Sequence, residues 1–380
     1  MTTFLTGATG FLGSYIAAEL LSNSKERIAL LVRSRTIEEA EKRLWRSLQL
    51  HMNFQTYWDH RTQRIDIHLG DLTEPGLGLN KASQERLLES TDSVIHAAAS
   101  LNRKSEESCA NVNVKGSLEV ALLAKKIHDL KPLRRYSLVS TVAVSGIREN
   151  ETVQEDTAIR WNRPDLDPYG RTKKMSEYLS QRVLEGIPLT IFRPSAIIGD
   201  TRFPQTTQFD MLRAFAWMAK MSVLPLDPSW RMDIVPADFV GKAVVRIHKS
   251  DHPRHPIYHL SAGLASPNYR EISDCLTSEF HKRRTHFSPG LCGIFMKSCD
   301  WLSNSRLKSG LVRTARLVNV FRPHLLGNTV FDNSRIVEEL EERPASFVSY
   351  APGVLRFALD HQFSYPFLPF CQPGTQKEVA

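Results

Sequence analysis

The chain has few cysteines and no long apolar run. Five cysteines stand among 380 residues with no Cys-x-x-Cys pair, so neither a disulfide framework nor a zinc ribbon is indicated. No apolar run approaches the ~18 residues that a bilayer-spanning helix needs, and no charged leader precedes the first apolar segment. Internal repeats and long low-complexity segments are lacking too. These absences predict a cytoplasmic protein with reduced thiols.

Short apolar segments alternate with helical patterns through the first 260 residues. The segments are residues 2–5, 28–32, 65–69, 93–96, 136–140, 189–192 and 257–260. Strands separated by helices in this way call for a parallel sheet covered on both faces. We therefore predict an α/β fold with a doubly wound, Rossmann-like sheet. The sequence changes character after residue 264, which predicts a smaller, mainly helical lobe over residues 265–380.

A glycine-rich run follows the first predicted strand and precedes a helical pattern. Glycine suits a tight strand-to-helix turn at Gly7, close backbone approach to a pyrophosphate at Gly10, and helix-on-sheet packing at Gly13. The helix N-terminus adds free N–H groups and a positive dipole. The candidate phosphate-binding residues are Gly7, Thr9, Gly10, Phe11, Leu12 and Gly13. The alternative, an ordinary glycine-rich turn, is disfavoured by the position of the run on the first strand.

A tyrosine and a lysine stand four residues apart in a helix-favouring run. The spacing puts Tyr169 and Lys173 on one helical face. A free phenol titrates near pH ~10, so a nearby cation is needed to stabilise its phenolate, and Lys173 is placed to supply it. By spacing alone the two residues also suit a solvated surface pair. Together with the hydroxyls described next, they predict a proton donor.

The apolar segment at 136–140 ends in hydroxyl side chains. A strand of a parallel sheet would deliver such groups to the carboxyl edge, where ligands bind. There a hydroxyl can hold a substrate carbonyl beside Tyr169. Thr141 is our first candidate and Ser140 the alternative, since neighbours on a strand point to opposite faces.

With further motifs in the same order, the first 265 residues or so resemble the extended short-chain dehydrogenase/reductase superfamily. These motifs are the runs at 70–72, 94–99, 111–116 and 192–199. The resemblance implies that Asn113 helps to arrange a proton-relay water, beside a catalytic set of Thr141, Tyr169 and Lys173. It also implies cofactor contacts in addition to the glycine run. They are Asp71, Leu72, Ala97, Ala98, Tyr169, Lys173, Pro194, Ser195 and Ile197.

Two features narrow the resemblance. The run GDLTEPGLGL at 70–79 is similar to a signature of the thioester reductases, and residues 30–44 resemble the second strand and following helix of that group. The group has a male sterility-type NAD-binding domain. It includes fatty acyl-CoA reductases and the reductase domains of carboxylic acid reductases and of peptide or polyketide synthetases. This implies NADPH-dependent reduction of an acyl thioester, carried on coenzyme A or a carrier protein, to an aldehyde or onward to the alcohol.

Two other functions stay open from the sequence. One is an oxidoreductase of ketones or secondary alcohols, resembling hydroxysteroid dehydrogenases or dihydroflavonol reductases. The other is a catalytically inactive, cofactor-sensing Rossmann protein, against which the intact set of Thr141, Tyr169 and Lys173 argues. The resemblance is compatible with a monomer or a homodimer.

The end of the second predicted strand indicates the form of the cofactor. An NAD site usually has a carboxylate there, which would repel a 2′-phosphate. Here the position holds Arg33, whose guanidinium can pair with phosphate. The resemblance suggests Arg43 as a second contact, although either arginine could be a solvated charge. We therefore predict NADPH.

A basic segment spans residues 281–325. It has nine basic residues against one acid, Asp300, and the difference equals the net charge of +8 of the whole chain. The basic residues are Lys282, Arg283, Arg284, Lys297, Arg306, Lys308, Arg313, Arg316 and Arg322. Interleaved apolar residues predict amphipathic helices and a lid. Its outer face could attract coenzyme A, an acidic carrier protein or an anionic membrane, or be merely solvated. No nucleic-acid motif accompanies it.

A histidine cluster and an apolar cluster are both predicted to have structural roles. The histidines at 248, 252, 255 and 259 are interrupted by prolines, so we predict no metal site. The apolar residues between 209 and 224 could line an acyl pocket, but most suit a protein core. They are Phe209, Met211, Leu212, Phe215, Trp217, Met218, Met221 and Leu224.

Overall fold

The computed structural model describes residues 1–156, 159–278, 285–305 and 326–371, together with 310, 312, 315, 316, 318, 319 and 322. It confirms the α/β fold. The strands are β1 Thr2–Thr6, β2 Arg27–Val32, β3 Ile65–Leu69, β4 Ser93–His96, β5 Arg135–Val139, β6 Thr152–Val153, β7 Leu189–Pro194, β8 Ala196–Ile197, β9 Val223–Leu224, β10 Ile234–Val235, β11 Ile257–Leu260, β12 His286–Phe287 and β13 Val330–Phe331.

Helices connect these strands. They are α1 Phe11–Asn23, α2 Ile37–Leu48, α3 Phe54–Gln63, α4 Lys81–Ser90, α5 Glu106–Cys109, α6 Ser117–Leu130, α7 Pro168–Val183, α8 Asp210–Ala219, α9 Ala237–Lys249, α10 Tyr269–Ser278, α11 Cys292–Ser303, α12 Ser334–Leu340 and α13 Phe347–Asp360. A π-helical segment, Ala110–Gly116, joins α5 to α6. In the described part of the chain, no helix combines the length and apolar character needed to span a membrane.

Seven strands form one parallel sheet in the order β11-β7-β5-β4-β1-β2-β3. One face is covered by α1, α2 and α9, and the other by α4, α6 and the end of α7. The apolar runs form strands because both faces are buried, as all five residues of β1 are. From β1 the sheet grows through β2 and β3 on one side and through β4, β5 and β7 on the other. The strand order therefore reverses between β1 and β4, whose carboxyl ends flank a crevice.

The predicted strands at 65–69, 93–96 and 257–260 match the structure. The strand predicted at 136–140 instead spans β5, Arg135–Val139. Ser140 still donates its N–H to the Phe192 carbonyl oxygen at 2.7 Å, but the chain then turns. The turn is fixed by Thr141, whose hydroxyl accepts the Ala143 N–H at 3.2 Å. Both candidate hydroxyls therefore lie just beyond the strand, at the carboxyl edge of the sheet.

A second apolar core lies beside the sheet. It is built from α8, α10, α11 and α13, with segments from before and after residue 264. Five residues of the apolar run belong to its buried part. They are Phe209, Leu212, Phe215, Met218 and Leu224. Trp217 and Met221 pack against it half-buried, and so does Met211, which also faces the groove described next.

Candidate active site

A groove of about 830 Å³ opens at the carboxyl ends of β1, β4, β5 and β7. Every predicted cofactor-binding and catalytic residue except Asn113 lines it. They are Gly7, Thr9, Gly10, Phe11, Leu12, Gly13, Arg33, Arg43, Asp71, Leu72, Ala97, Ala98, Thr141, Tyr169, Lys173, Pro194, Ser195 and Ile197. Residues far apart in the sequence meet here because parallel strands end at the same edge.

The glycine run packs its backbone against itself and against the chain that follows β4. Gly7 has φ +85°, and a Cβ there would lie 2.7 Å from the Ala98 nitrogen. A Cβ on Gly13 would lie 1.9 Å from the Gly7 carbonyl oxygen. Gly10 donates its N–H to that oxygen at 2.9 Å. The N-terminus of α1 has no side-chain cap, so its first N–H groups face the groove uncovered. This cradle fits a pyrophosphate.

Arginines and a folded loop form the far end of the groove. Arg33 Nη1 lies 3.8 Å from the Asp71 carboxylate, and its side chain is 68% exposed. Arg43 donates to the Arg33 carbonyl oxygen. The loop after β3 folds back so that the Asp71 N–H meets the Leu77 carbonyl oxygen at 2.8 Å. A Cβ on Gly70 would lie 2.4 Å from the same oxygen, which explains the glycine.

The first turns of α7 carry Tyr169 and Lys173. The helix begins where Asp167 accepts the Gly170 N–H at 2.8 Å and Pro168 occupies the first turn. Both side chains are buried. Both Tyr169 and Thr141 line the groove, and the Thr141 hydroxyl is close enough to lower the pKa of the Tyr169 phenol. The Ser140 hydroxyl, by contrast, is buried with no partner among the described residues.

Opposing effects act on the two titratable groups. Burial raises the pKa of Tyr169, while the Arg103 charge and the Thr141 hydroxyl lower it. Burial lowers the pKa of Lys173 to about 8, against the attraction of Glu177. The Lys173 ammonium donates to the Val139 carbonyl oxygen at 2.7 Å. The lysine is therefore anchored to β5 at the base of the groove.

Arg103 is absent from the sequence-based prediction. Its guanidinium carbon lies 4.9 Å from the centre of the Tyr169 ring, and it forms an ion pair with Asp167. It comes from the loop after β4, 64 residues before its partner. No spacing rule links positions so far apart, and a lone arginine in a loop is usually solvated.

Asn113 lies behind the groove, in the π-helical segment. Its side chain accepts the Ser100 N–H at 2.8 Å and donates to the Ser100 carbonyl oxygen at 3.1 Å. It also donates to the Thr172 hydroxyl at 3.0 Å. Asn113 thus ties the loop after β4 to α7. Its predicted role in a proton relay stays a prediction.

The histidine cluster is divided between separate environments. The ring of His248 lies between the hydroxyls of Ser137 and Ser93, at 2.8 and 2.9 Å. His259 Nδ1 faces the Asp332 carbonyl oxygen at 3.0 Å. Within the described ranges no three His, Cys, Asp or Glu side chains are grouped as metal ligands would be.

The basic segment is only partly described. Lys282, Arg283, Arg284, Arg306, Lys308 and Arg313 lie outside the described residues. Arg316 donates to the Ser303 and Ser305 carbonyl oxygens, both at 3.0 Å, and Arg322 pairs with Asp300 at 3.2 Å. These two charges have partners within the lobe. Contact of the segment with coenzyme A, a carrier protein or a membrane stays a prediction.

Residues 5–244 match the model of an NAD-binding family described as "Male sterility protein". The chain belongs to this family. Among its relatives, a linear gramicidin synthase protein of Brevibacillus parabrevis is 29% identical over 278 residues, covering 72% of this chain and 5% of that protein. Fatty acyl-CoA reductase wat of Drosophila melanogaster is 27% identical over 291 residues, covering 67% of this chain and 56% of that protein. The chain spans less than two thirds of either relative.

A solved structure shares the fold of this male sterility family member. The terminal R domain from the myxalamid PKS-NRPS biosynthetic pathway has a TM-score of 0.80 and 24% identity, covering 95% of this chain and 91% of that one. The predicted resemblance to the group with a male sterility-type NAD-binding domain is confirmed by the family match and by these relatives. Family membership indicates a nicotinamide cofactor, and the glycine cradle has the close-packed backbone that suits a pyrophosphate.

Proposed function

We propose that the chain reduces an acyl thioester to an aldehyde, with NADPH as the cofactor. The observation that carries the proposal is that Tyr169, Thr141 and Lys173 line the same groove as the glycine cradle, with the Thr141 hydroxyl close enough to lower the pKa of Tyr169. The family relatives named above support a thioester as the substrate. Coenzyme A and a carrier protein are the two carriers that the resemblance implies.

The groove residues have distinct roles in this proposal. The glycine cradle and the N-terminus of α1 hold the pyrophosphate, and Lys173 holds the ribose beside the nicotinamide. When bound, the cofactor supplies a hydride to the carbonyl carbon. Tyr169 and Thr141 donate hydrogen bonds to the carbonyl oxygen, where negative charge develops. Pro194, Ser195 and Ile197, which line the groove, would form the wall beside the nicotinamide.

After hydride transfer, the reaction needs a proton for the carbonyl oxygen and the departure of the thiol, and these occur in two steps. Tyr169 gives its proton to the oxygen, which leaves a hemithioacetal and a phenolate. The phenolate then takes the hydroxyl proton back as the carbon–sulfur bond breaks, and the thiolate that leaves is protonated from water, so the products are an aldehyde and a free thiol. The net reaction consumes one hydride and one proton. A second round on the aldehyde would give the alcohol.

Arg33 is expected to select the phosphorylated cofactor. Its exposed guanidinium stands at the groove edge, and Asp71, its carboxylate neighbour, lies 3.8 Å away. Charge-assisted bonds to a 2′-phosphate contribute about 1.5–3 kcal/mol, so R33A should lower the preference for NADPH over NADH on the order of tenfold or more. Steady-state kcat/KM with both cofactors measures this. The exposed Arg27, which pairs with Asp66, offers R27A as the control. A preference in R33A equal to that of the parent would contradict the NADPH proposal.

A substrate panel tests the reaction itself. NADPH absorbance is followed with acyl-CoAs, with acylated carrier proteins, and with ketones and secondary alcohols. We expect consumption that depends on a thioester and releases an equal amount of thiol. Turnover of ketones without thioesters would favour the ketone reductase alternative, and binding of NADPH without any turnover would favour a cofactor-sensing protein.

A further inference from the structure

An ion pair beside Tyr169 links the loop after β4 to the start of α7. Asp167 uses one carboxylate oxygen to cap the helix at the Gly170 N–H and the other to bind the Arg103 guanidinium. The side chains of Arg103 and Asp167 are only 17% and 13% exposed. Asp167 thus joins the helix that carries the tyrosine to the cation that covers the tyrosine ring.

We propose that Arg103 is a positioning residue for Tyr169, which holds the phenol ring in place and sets a positive charge beside it. The proposal rests on the proposed function for the role of Tyr169 as proton donor. A guanidinium is planar and weakly hydrated, so it can lie against an aromatic ring while it pairs with a carboxylate. Arg103 also lines the groove, but its argued effect passes through the tyrosine.

Among the groups around the Tyr169 phenol, Arg103 lowers the pKa of the phenol most. Asp167 and Cys109 raise the pKa of Tyr169, whereas Arg103 and the Thr141 hydroxyl lower it, and Arg103 is the larger of these influences after burial. Lys173, one turn further along α7, directs its ammonium to the Val139 carbonyl oxygen. Arg103 is thus the main cation that acts on the phenol. Removing its charge should raise the pKa of the phenol and make it a weaker acid at neutral pH.

The phenol can be titrated without any substrate. The full chain is produced with fluorotyrosine, which lowers the phenol pKa into the measurable range, and the signal missing from Y169F identifies Tyr169 among the nine tyrosines. In R103M the fluorine signal should titrate about one pH unit higher than in the parent. In R103K, which keeps the charge, it should stay nearer the parent. R103Q serves if R103M does not fold.

A matched arginine on α7 provides the control. Arg171 pairs with Glu106 and Asp165 at the surface, and R171M should leave the titration unchanged. A titration in R103M equal to that of the parent, or an equal shift in R171M, would overturn the role of Arg103. If the titration shifts in R103M but the parent turns over no thioester, the proposed function is wrong while the effect of Arg103 on Tyr169 is supported.

The same variants should change the pH profile of catalysis. A proton donor works below its pKa, so activity falls as pH rises through that value. In R103M the alkaline limb of kcat should move to higher pH while kcat at neutral pH falls. KM for the thioester should change less than kcat. An unmoved limb would contradict the inference, even if kcat fell.

Discussion

Replacing Tyr169 with phenylalanine is expected to lower kcat by ~10²–10⁴, the usual contribution of general acid catalysis. The substitution removes only the phenol hydroxyl, whose pKa the Thr141 hydroxyl lowers, and leaves the ring under Arg103. Cofactor affinity should change less than kcat, because Tyr169 is one of many predicted cofactor contacts and the substitution leaves the glycine cradle and Lys173 in place. Initial rates with NADPH and a reactive thioester, together with a cofactor titration, measure both quantities.

A second tyrosine on the same helix provides the matched control. Tyr178 is 40% exposed and packs edge-to-face on Trp161, outside the groove. Y178F should therefore keep the kcat of the parent. Unchanged turnover in Y169F would remove the proposed proton donor.

Gly13→Ala is expected to abolish cofactor binding and to destabilise the chain. Alanine is favoured over glycine in a helix by about 1 kcal/mol, which alone would stabilise α1. The new Cβ, however, would lie 1.9 Å from the Gly7 carbonyl oxygen, and no rotamer can relieve a contact between backbone atoms. Overpacking typically costs ~1–3 kcal/mol, so the clash outweighs the helix propensity. Denaturant unfolding and a fluorescence titration with NADPH measure the two effects.

Gly290 offers a glycine in open space as the comparison. It has no heavy atom within 4 Å of an added Cβ and lies in a short helical turn of the C-terminal lobe. G290A should keep both stability and cofactor affinity. Tight NADPH binding by G13A would contradict the assigned cradle.

The sheet and one wall of the groove could be predicted because their signals are local. Each apolar run is short and lies between helical patterns. The three glycines of the turn, Gly7, Gly10 and Gly13, lie within seven consecutive residues. The carboxyl-edge rule then places Thr141 near Tyr169 without any knowledge of side-chain contacts. The end of β5 could not be predicted to the residue, because the Ser140 N–H continues the hydrogen bonding of the sheet one residue beyond the strand.

Contacts between distant loops could not be predicted in this way. The pairing of Arg103 with Asp167 depends on how far the loop after β4 folds toward α7. That distance is fixed by Asn113, whose amide binds Ser100 on the loop and Thr172 on the helix. The sequence singled out Asn113 by resemblance alone. Its contacts suggest a reason for asparagine there, since one amide both donates and accepts.

The C-terminal lobe shows a second limit. Its apolar core combines α8 with helices that follow residue 264, so a change in sequence character did not mark where the core begins. The domain boundary stays a prediction. From the sequence, the apolar residues of α8 suit either a core or a pocket. The structure distinguishes them by burial, since Phe215 is fully buried whereas Met211 lines the groove.

The most direct test uses NADPH that carries deuterium at the transferable position. The full chain is incubated with it and an acyl thioester, and the products are identified by mass spectrometry. The account predicts an aldehyde with one deuterium on the former thioester carbon, an equal amount of free thiol, and formation of both products ~10²–10⁴ more slowly in Y169F. Thiol released with an unlabelled acid would mean hydrolysis, and labelled aldehyde formed equally by Y169F would place the chemistry elsewhere; either result would contradict the account.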